Sequence, residues 1–188
     1  MAKFWNSSAL EPKRQHRWLL QLGKGLESYA VKTTDKPSFT INESEHNFFG
    51  HKFYYPGVVT WNEITVTLVD PVDPDASGAL SRALEMSGYK TPDNADISKP
   101  MLDTVSKEKS VQAIGPQIVL AQYDGDNREI ERWTLYNPWI KEVKFGDLEY
   151  GGDDLTETTV ELQYDWARVE TATDSVTINS GGREFFKV

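Results

Sequence analysis

The chain has 188 residues, no cysteine and a formal net charge of −9. This length suits one domain, which buries roughly 70 % of its unfolded surface without covalent staples, and the absent thiols exclude disulfides, thiolate metal sites and a cysteine nucleophile. The negative charge argues against a general nucleic-acid or membrane binder, and no apolar run reaches the roughly 20 residues that a spanning helix requires.

The N-terminal part predicts an exposed arm followed by short strands. Residues 1–16 lack the apolar stretch of a secretory signal and form the arm, which together with the missing cysteines fits assembly in a reducing cytoplasm. Strands are expected at residues 18–22, 38–41 and 48–55, and the last of these ends at a Pro-Gly turn signal.

Residues 61–69, WNEITVTLV, alternate with a period of two, which predicts a strand with one buried and one wet face. The apolar side chains are Ile64, Val66 and Leu68, and the polar ones are Glu63, Thr65 and Thr67. The acidic loop that follows leads into the one predicted helix, with Asp75 as its N-cap and Gly88 as its stop. Residues 89–116 are polar and interrupted by proline, and they predict a long surface loop with at most one short helical turn.

The C-terminal part predicts more strands. Residues 118–123 and 129–136 flank the hairpin signal DGDN, and residues 139–145 form the next strand. In residues 158–170 the apolar side chains alternate with polar ones, and a tail of residues 171–188 follows, with a weak strand at 175–178. The apolar set is Val160, Leu162, Tyr164 and Trp166, and the polar set is Thr159, Glu161, Gln163 and Asp165. About eight strands and one helix predict a mainly β fold, an antiparallel two-sheet β-sandwich or barrel with one packed helix, in a single domain of residues 1–188.

No pattern predicts an enzyme, a cofactor or a metal site. The three histidines lack metal-ligand spacing, the acidic runs do not match a calcium loop, and no phosphate loop or nucleophile elbow is present. Six tryptophans leave open a monomeric carbohydrate-binding β-sandwich, although a role in the core fits tryptophans on apolar strand faces better.

The order of several motifs resembles the major tail tube proteins of contractile-tailed bacteriophages. The motifs are the Trp61-x-x-Ile64-Thr65-Val66-Thr67 strand after a Pro-Gly turn, the aromatic-Pro-aromatic bend from Tyr136 to Trp139, Gly146-Asp147-Leu148, and the closing strand ELQYDW at residues 161–166. Together they span about residues 18–166. The resemblance implies hexameric rings that stack into a hollow tube, in which the inner sheets of neighbouring subunits join into one β-barrel. The type VI secretion tube protein shares this fold.

The resemblance also implies a location and a set of partners. It places the chain in the virion tail, assembled in the host cytoplasm, and it implies the chain itself, tail sheath, tape measure, baseplate and tail terminator proteins as partners, with viral DNA passing through non-specifically and no membrane. Residues 89–116 and the tail after residue 170 do not match the family. They leave open a baseplate-proximal tube initiator or the tube protein of a contractile secretion or injection system.

On this hypothesis the wet strand faces line the bore. The predicted lumen residues are Glu63, Thr65, Thr67, Thr159, Glu161, Gln163 and Asp165. An acidic wall would repel phosphates within roughly 8–10 Å, whereas the alternative is a polar strand face in bulk water. Residues 158–166 lack the proline and lysine that blunt a free edge. They or residues 61–69 are therefore predicted to be an edge strand that pairs with a neighbouring subunit.

Overall fold

Ten strands and two α-helices form the described part of this computed structural model, which comprises residues 12–22, 28–91 and 104–171. In chain order the elements are β1 (Trp18–Gln21), a 3₁₀ turn (Ser28–Ala30), β2 (Val31–Thr34), β3 (Phe39–Phe48), β4 (His51–Trp61), β5 (Ile64–Val69), α1 (Ala76–Met86), α2 (Lys107–Ile114), β6 (Gln117–Tyr123), β7 (Glu129–Tyr136), β8 (Trp139–Lys144), β9 (Glu157–Gln163) and β10 (Trp166–Thr171). The predicted strand at residues 175–178 lies outside the described residues, as do most of the predicted arm and residues 92–103 of the predicted loop.

The strands form two four-stranded antiparallel sheets and one separate hairpin. Sheet 1 has the order β1-β6-β7-β10, sheet 2 has the order β2-β5-β9-β8, and β3 pairs only with β4. The predicted mainly β, two-sheet class is confirmed, and the sheets do not close into a barrel within one chain. The prediction that β5 or β9 is an edge strand is wrong. Each lies inside sheet 2, whose outer strands are β2 and β8, because a strand's own sequence does not record which other strands flank it.

The core lies between the two sheets and is closed by the helices. The apolar sets predicted for β5 and for the first part of the closing strand are both buried, each side chain 2 % exposed or less. The buried core comprises Leu20, Ile64, Val66, Leu68, Leu80, Ile114, Ile118, Leu120, Leu135, Val160, Leu162 and Tyr164. Fully burying a side chain of this size contributes about 1.5–3 kcal/mol. The period-two pattern therefore sets which face of sheet 2 is dry.

Residues 158–170 were predicted as one strand, and this prediction is wrong. The chain bends at Asp165, whose N–H donates to the carbonyl of Tyr136 at 3.0 Å, and then continues as β10 in sheet 1. Trp166 therefore leaves the dry face. It is 44 % exposed and stacks on Tyr136, with ring centroids 5.1 Å apart. The apolar positions shift from even to odd between Trp166 and Ala167, so this single step in the pattern is the only trace of the change of sheet in the sequence of residues 158–170.

The predicted helix is confirmed, and a second helix is present. The Asp75 carboxylate accepts from the Gly78 N–H at 2.9 Å at the start of α1, and Gly88 adopts a left-handed φ of 111° just beyond its end. Helix α2 occupies residues predicted as loop, and the Ser106 hydroxyl caps it by accepting from the Lys109 N–H. Its apolar side is short and becomes buried only against α1 and β8, which explains why periodicity missed it.

Gly146 provides a test of the turn between β8 and β9. Its φ is 79°, and an added Cβ would lie 2.4 Å from the carbonyl oxygen of Glu157. Gly146→Ala should lower the free energy of unfolding by about 1–3 kcal/mol, measured by urea denaturation. Gly151→Ala is the control, because its added Cβ would meet only the Glu149 carboxylate at 3.7 Å. Equal destabilisation by the two substitutions would contradict this account.

Candidate assembly surfaces

Sheet 2 brings five of the seven predicted lumen residues onto one face. The register pairs Thr65 with Glu161 and Thr67 with Thr159, and Gln163 lies two positions beyond Glu161 on the same side of β9. All five are partly exposed, while the residues between them are buried on the opposite, core side. These five residues are referred to below as the polar face. The period-two pattern of β5 and β9 was the signal that found them.

Glu63 and Asp165 lie at the margins of this face. Glu63 precedes β5 in an exposed connection and forms an ion pair with Lys141 of β8. Asp165, at the bend after β9, accepts hydrogen bonds from Lys107 at 2.6 and 2.8 Å and from the Asn137 side-chain amide at 2.9 Å. Burial alone would raise the pKa of Asp165, but these donors outweigh it and hold the pKa below its usual value. Asp165 therefore ties the start of α2 to a corner of the sheets.

Lysines from the outer strands of sheet 2 accompany its acids. Lys144 of β8 lies 3.3 Å from the carboxylate of Glu142 and 3.8 Å from that of Glu161, and Lys32 of β2 pairs with Glu157. The hydrogen bond to Glu157 raises the pKa of Lys32, as the hydrogen bond to Glu63 raises that of Lys141. Sequence reasoning from β9 alone found acids and no base. It missed these lysines because they come from strands that are distant in sequence.

The β3–β4 hairpin is the most exposed part of the described chain. Every residue of β3 is exposed, as is every residue of β4 except Trp61. The exposed large apolar side chains of the hairpin are Phe39, Ile41, Phe48, Phe49, Phe53, Tyr54, Tyr55, Val58 and Val59. A solitary two-stranded hairpin is marginally stable in water, and exposed apolar patches of this kind mark interaction sites. The sequence indicated the aromatics of this segment but not that they remain uncovered.

The strand register groups the aromatics near the hairpin tip on one face. Phe48 pairs with His51, Phe53 pairs with His46 and Tyr55 pairs with Ser44. These three pairs follow one another along the ladder at a two-residue spacing, so their side chains lie on the same face. Phe48, Phe53 and Tyr55 are each about half exposed, between 47 and 57 %. These three residues are referred to below as the aromatic tip. They form an apolar surface that stays about half exposed in the single chain, and the adjacent Phe49 contacts Phe48 with ring centroids 4.5 Å apart.

An aromatic cluster fixes the root of the hairpin to the sandwich. Trp61 contacts Phe39 with ring centroids 5.4 Å apart and Tyr164 with centroids 6.1 Å apart. Tyr164 is buried beside the core, and this burial raises its pKa to about 12, so the phenol stays neutral at physiological pH. The Asn62 N–H donates to the Ser38 carbonyl at 2.9 Å across the root. The hairpin therefore leaves the sandwich in a defined direction.

A buried carboxylate lies at the polar end of the core. Glu131 of β7 is 7 % exposed and accepts hydrogen bonds from Lys13, from Lys36 Nζ at 2.6 Å and from Trp133 Nε1 at 2.6 Å. Gln122 of the neighbouring β6 accepts from Lys36 at 2.9 Å, and its amide donates to the Arg14 carbonyl at 3.0 Å. This cluster borders an open pocket of about 570 Å³ between the sheets. Glu131 was not predicted as a functional residue. The one feature in the sequence that could have indicated it is a charged residue at a position of β7 that faces the core.

The Glu131 cluster predicts a defined loss of stability in acid. Burial alone would raise the pKa of Glu131, but its three donors lower the pKa from 4.5 to about 2. A carboxyl with a depressed folded-state pKa stabilises the fold above its unfolded pKa, and this contribution disappears as the pH falls from about 4.5 towards 2. Glu131→Gln should therefore lower the urea midpoint at pH 7, and the gap to the parent protein should narrow at pH 3. Glu170→Gln, at an exposed pair with Arg168, is the control. A gap of constant size would contradict the assignment.

Other site classes find little support in the described residues. Those residues contain no group of three or more histidine, aspartate or glutamate side chains placed to hold a metal, and none of their helices is long and apolar enough to span a membrane. Among the tryptophans of the described part, only Trp166 is exposed, while Trp18, Trp61 and Trp133 pack against the core. This placement favours the core role over a tryptophan-lined sugar surface.

The comparisons with known proteins identify the fold but no sequence family. No protein-family model matches the chain, and no curated protein matches it. The structure is similar to a chain of the six-fold symmetrised anti-feeding prophage baseplate, with a TM-score of 0.63 and 15 % identity over 87 % of this chain and 99 % of that chain. It is also similar to a chain of the tube-terminating cap of the anti-feeding prophage, with a TM-score of 0.62 and 15 % identity over 92 % of this chain and 100 % of that chain.

A third match is a chain of the extended PVC sheath–tube complex, from an extracellular contractile injection system. It has a TM-score of 0.60 and 12 % identity over 92 % of this chain and 100 % of that chain. These three chains come from a prophage baseplate, a tube-terminating cap and a sheath–tube complex, and each is covered almost end to end. The resemblance drawn from the sequence motifs is confirmed at the level of the fold.

Proposed function

We propose that the chain is a structural, non-enzymatic subunit that assembles with copies of itself into the tube of a contractile, phage-tail-like particle. The observation that carries this proposal is the exposed aromatic tip on a hairpin with no cover of its own. An exposed apolar surface in a chain of negative net charge is suited to bind the apolar surface of a protein partner. A second copy of the chain offers such a surface. The fold shared with chains of contractile injection particles supports the same conclusion.

Sheet 2 supplies a second assembly contact. It ends in β2 on one side and β8 on the other, and neither outer strand has a second strand partner among the described residues. When one edge of a subunit pairs with the opposite edge of the next, the contact is head-to-tail, and such contacts generate a ring when the rotation between subunits closes. The intersubunit pairing is therefore proposed at β2 and β8, and not at β5 or β9. The ring number of six rests on the family resemblance.

The polar face is the proposed lumen surface. Sheet 1 and the helices cover the core side of sheet 2, so a ring built through β2 and β8 turns the other side towards its bore. Glu161 and its four companions would line this bore, with Glu63 at one margin. Asp165 would contribute less, since its carboxylate is engaged by Lys107 and Asn137. The nearby lysines make the wall less acidic than β9 alone predicts.

The proposed partners follow from this position in a particle. The matches to chains of a baseplate, a cap and a sheath–tube complex support contacts with baseplate, terminator and sheath proteins. A tape measure protein inside the tube, and DNA in transit through it, rest on the resemblance to phage tail tubes. Assembly in the host cytoplasm and a final place in the particle's tail complete the proposal.

A second candidate function is the tube, or a terminal subunit of the tube, in a contractile injection system without DNA. It is favoured because the three matched structures are injection particles and include a cap and a baseplate. The two candidates differ in cargo. Tubes are isolated from native particles in which ejection has been arrested. They should contain nucleic acid if the chain forms a phage tail tube, and protein if it belongs to an injection system without DNA.

Self-assembly is the direct test of the proposed function. The purified chain, studied by analytical ultracentrifugation over a concentration series and by negative-stain electron microscopy, should form rings or tubes with a central channel. Assembly should increase with salt if the apolar tip dominates, because screening weakens repulsion between chains of like net charge. A chain that remains monomeric at all concentrations, with the sandwich folded, would refute the proposal.

A further inference from the structure

The Glu131 cluster joins three parts of the chain that are far apart in sequence. Lys13 belongs to the N-terminal arm, Lys36 lies three residues before β3, and Glu131 lies on sheet 1. The arm is held a second time through Gln122 and the Arg14 carbonyl, and a third time by the Tyr123 N–H, which donates to the Arg17 carbonyl at 2.9 Å. The arm and the entry to the hairpin therefore share one buried anchor.

The cost of this anchor argues for a role in positioning. A buried carboxylate loses hydration, and an apolar residue at the same core-facing position would often stabilise a fold as well or better. In some proteins a buried ionic group is retained because it fixes one arrangement among several. Here the arrangement is the direction in which the chain enters β3, because Lys36 precedes Phe39 at the hairpin root and Phe39 contacts Trp61.

The two lysines are half exposed, and Lys36 lines the pocket, so both can detach without opening the core. Their side chains are 48 and 49 % exposed, whereas the Glu131 side chain is 8 % exposed. Loss of Lys13 leaves the carboxylate paired with Lys36 and Trp133, so the cluster weakens in steps. The sheets are held together independently by apolar residues such as Leu20 and Leu135.

We propose that Glu131 is a positioning residue that couples the N-terminal arm to the β3–β4 hairpin, so that docking of the arm holds the hairpin in the orientation used for assembly. The consequence for assembly rests on the proposed function. The coupling itself is a property of the single chain. A change at Lys13 should therefore loosen the hairpin entry, although Lys13 is not part of the hairpin.

Hydrogen exchange on the full chain in its monomeric state tests the coupling. Lys13→Met should accelerate exchange in peptides covering residues 36–42 several-fold, because Glu131 then holds Lys36 with one partner fewer, whereas the arm itself loses its own charge-assisted hydrogen bond and should exchange roughly tenfold faster or more. Lys36→Met should have a similar effect in the arm, at residues 12–17. The control is Lys32→Met, which removes a neighbouring ion pair with Glu157 but no contact with Glu131.

Two outcomes would overturn the coupling. One is wild-type protection of residues 36–42 in Lys13→Met. The other is equal acceleration throughout the chain, which would signal a purely structural role. Glu131→Gln should accelerate exchange at residues 12–17 and 36–42 together. In a double-mutant cycle, the effects of Lys13→Met and Lys36→Met on these exchange rates should be non-additive. Full additivity would also contradict the proposal.

The assembly readout separates this inference from the proposed function. If the parent chain forms tubes, Lys13→Met should require a several-fold higher concentration to do so. Normal assembly by Lys13→Met despite a loosened hairpin would overturn the link to assembly. A parent chain that never assembles would refute the proposed function, while the exchange experiment would still decide the coupling.

Discussion

Replacing Phe48, Phe53 and Tyr55 together by serine should abolish self-assembly and leave the sandwich folded. These aromatics lie on one face of the hairpin tip, each about half exposed, and none belongs to the core. Three anchoring aromatics at about 2 kcal/mol each amount to about 6 kcal/mol, or roughly four orders of magnitude, and because such contributions are not additive we expect the concentration needed for assembly to rise by at least roughly a hundredfold. Sedimentation measures the loss of assembly, and circular dichroism with urea denaturation measures the fold.

The matched control removes as many exposed apolar side chains outside the hairpin. Val72, Leu148 and Leu155 are 99, 88 and 71 % exposed, and their replacement by serine should leave assembly near the parent level. If the aromatic-tip variant assembles at the parent's concentration, the hairpin is not the assembly surface. If both triple variants lose assembly equally, exposed apolar area in general, and not the tip, drives association.

Reversing the charge of Glu161 and Glu63 to lysine should convert the bore into a surface that retains nucleic acid. Both acids reach solvent, and their ion pairs with Lys144 and Lys141 are exposed and screened by water, so their loss should leave the subunit folded. Repeated around every ring, the added lysines would hold phosphates by counterion release, with retention that falls steeply as salt increases. Asp165 is left unchanged because Lys107 and Asn137 depend on it.

The control reverses two acids away from sheet 2. Asp126, in the β6–β7 turn, and Glu170, on β10, have side chains that are 73 and 54 % exposed. Assembled tubes of each variant are loaded with short single-stranded DNA, washed over a salt series and assayed for bound DNA. Retention by the bore variant alone supports the lumen assignment. Equal retention by both variants would place the polar face on the outside or leave the bore inaccessible.

Features encoded within a few consecutive residues were predicted from the sequence. Asp75 begins α1 because a carboxylate at that position can accept from the Gly78 N–H whatever surrounds it. The DGDN segment forms the predicted hairpin turn for the same reason. The Asp124 carboxylate accepts from the N–H groups of Asp126 and Arg128, and Asn127 takes a left-handed φ of 61°. Alternation likewise decided which side chains of β5 and β9 face the core, since a strand has only two faces.

The remaining features depend on which distant segments meet, and only the tertiary structure decided them. The sequence of β9 does not state that β5 and β8 flank it, so its internal position and the Lys144 contact with Glu161 could not be read from its own residues. The bend at Asp165 leaves only one step in the alternating pattern, between Trp166 and Ala167, where the chain changes sheets. Helix α2 has too short an apolar side to be recognised before it packs. The predicted strand over residues 48–55, ending at a Pro-Gly turn, is wrong: the hairpin turns at Phe49 and Gly50, and Pro56-Gly57 lies inside β4. The candidacy of this hairpin as an assembly surface comes from the absence of any other described layer over it, because burial is a property of packing between segments.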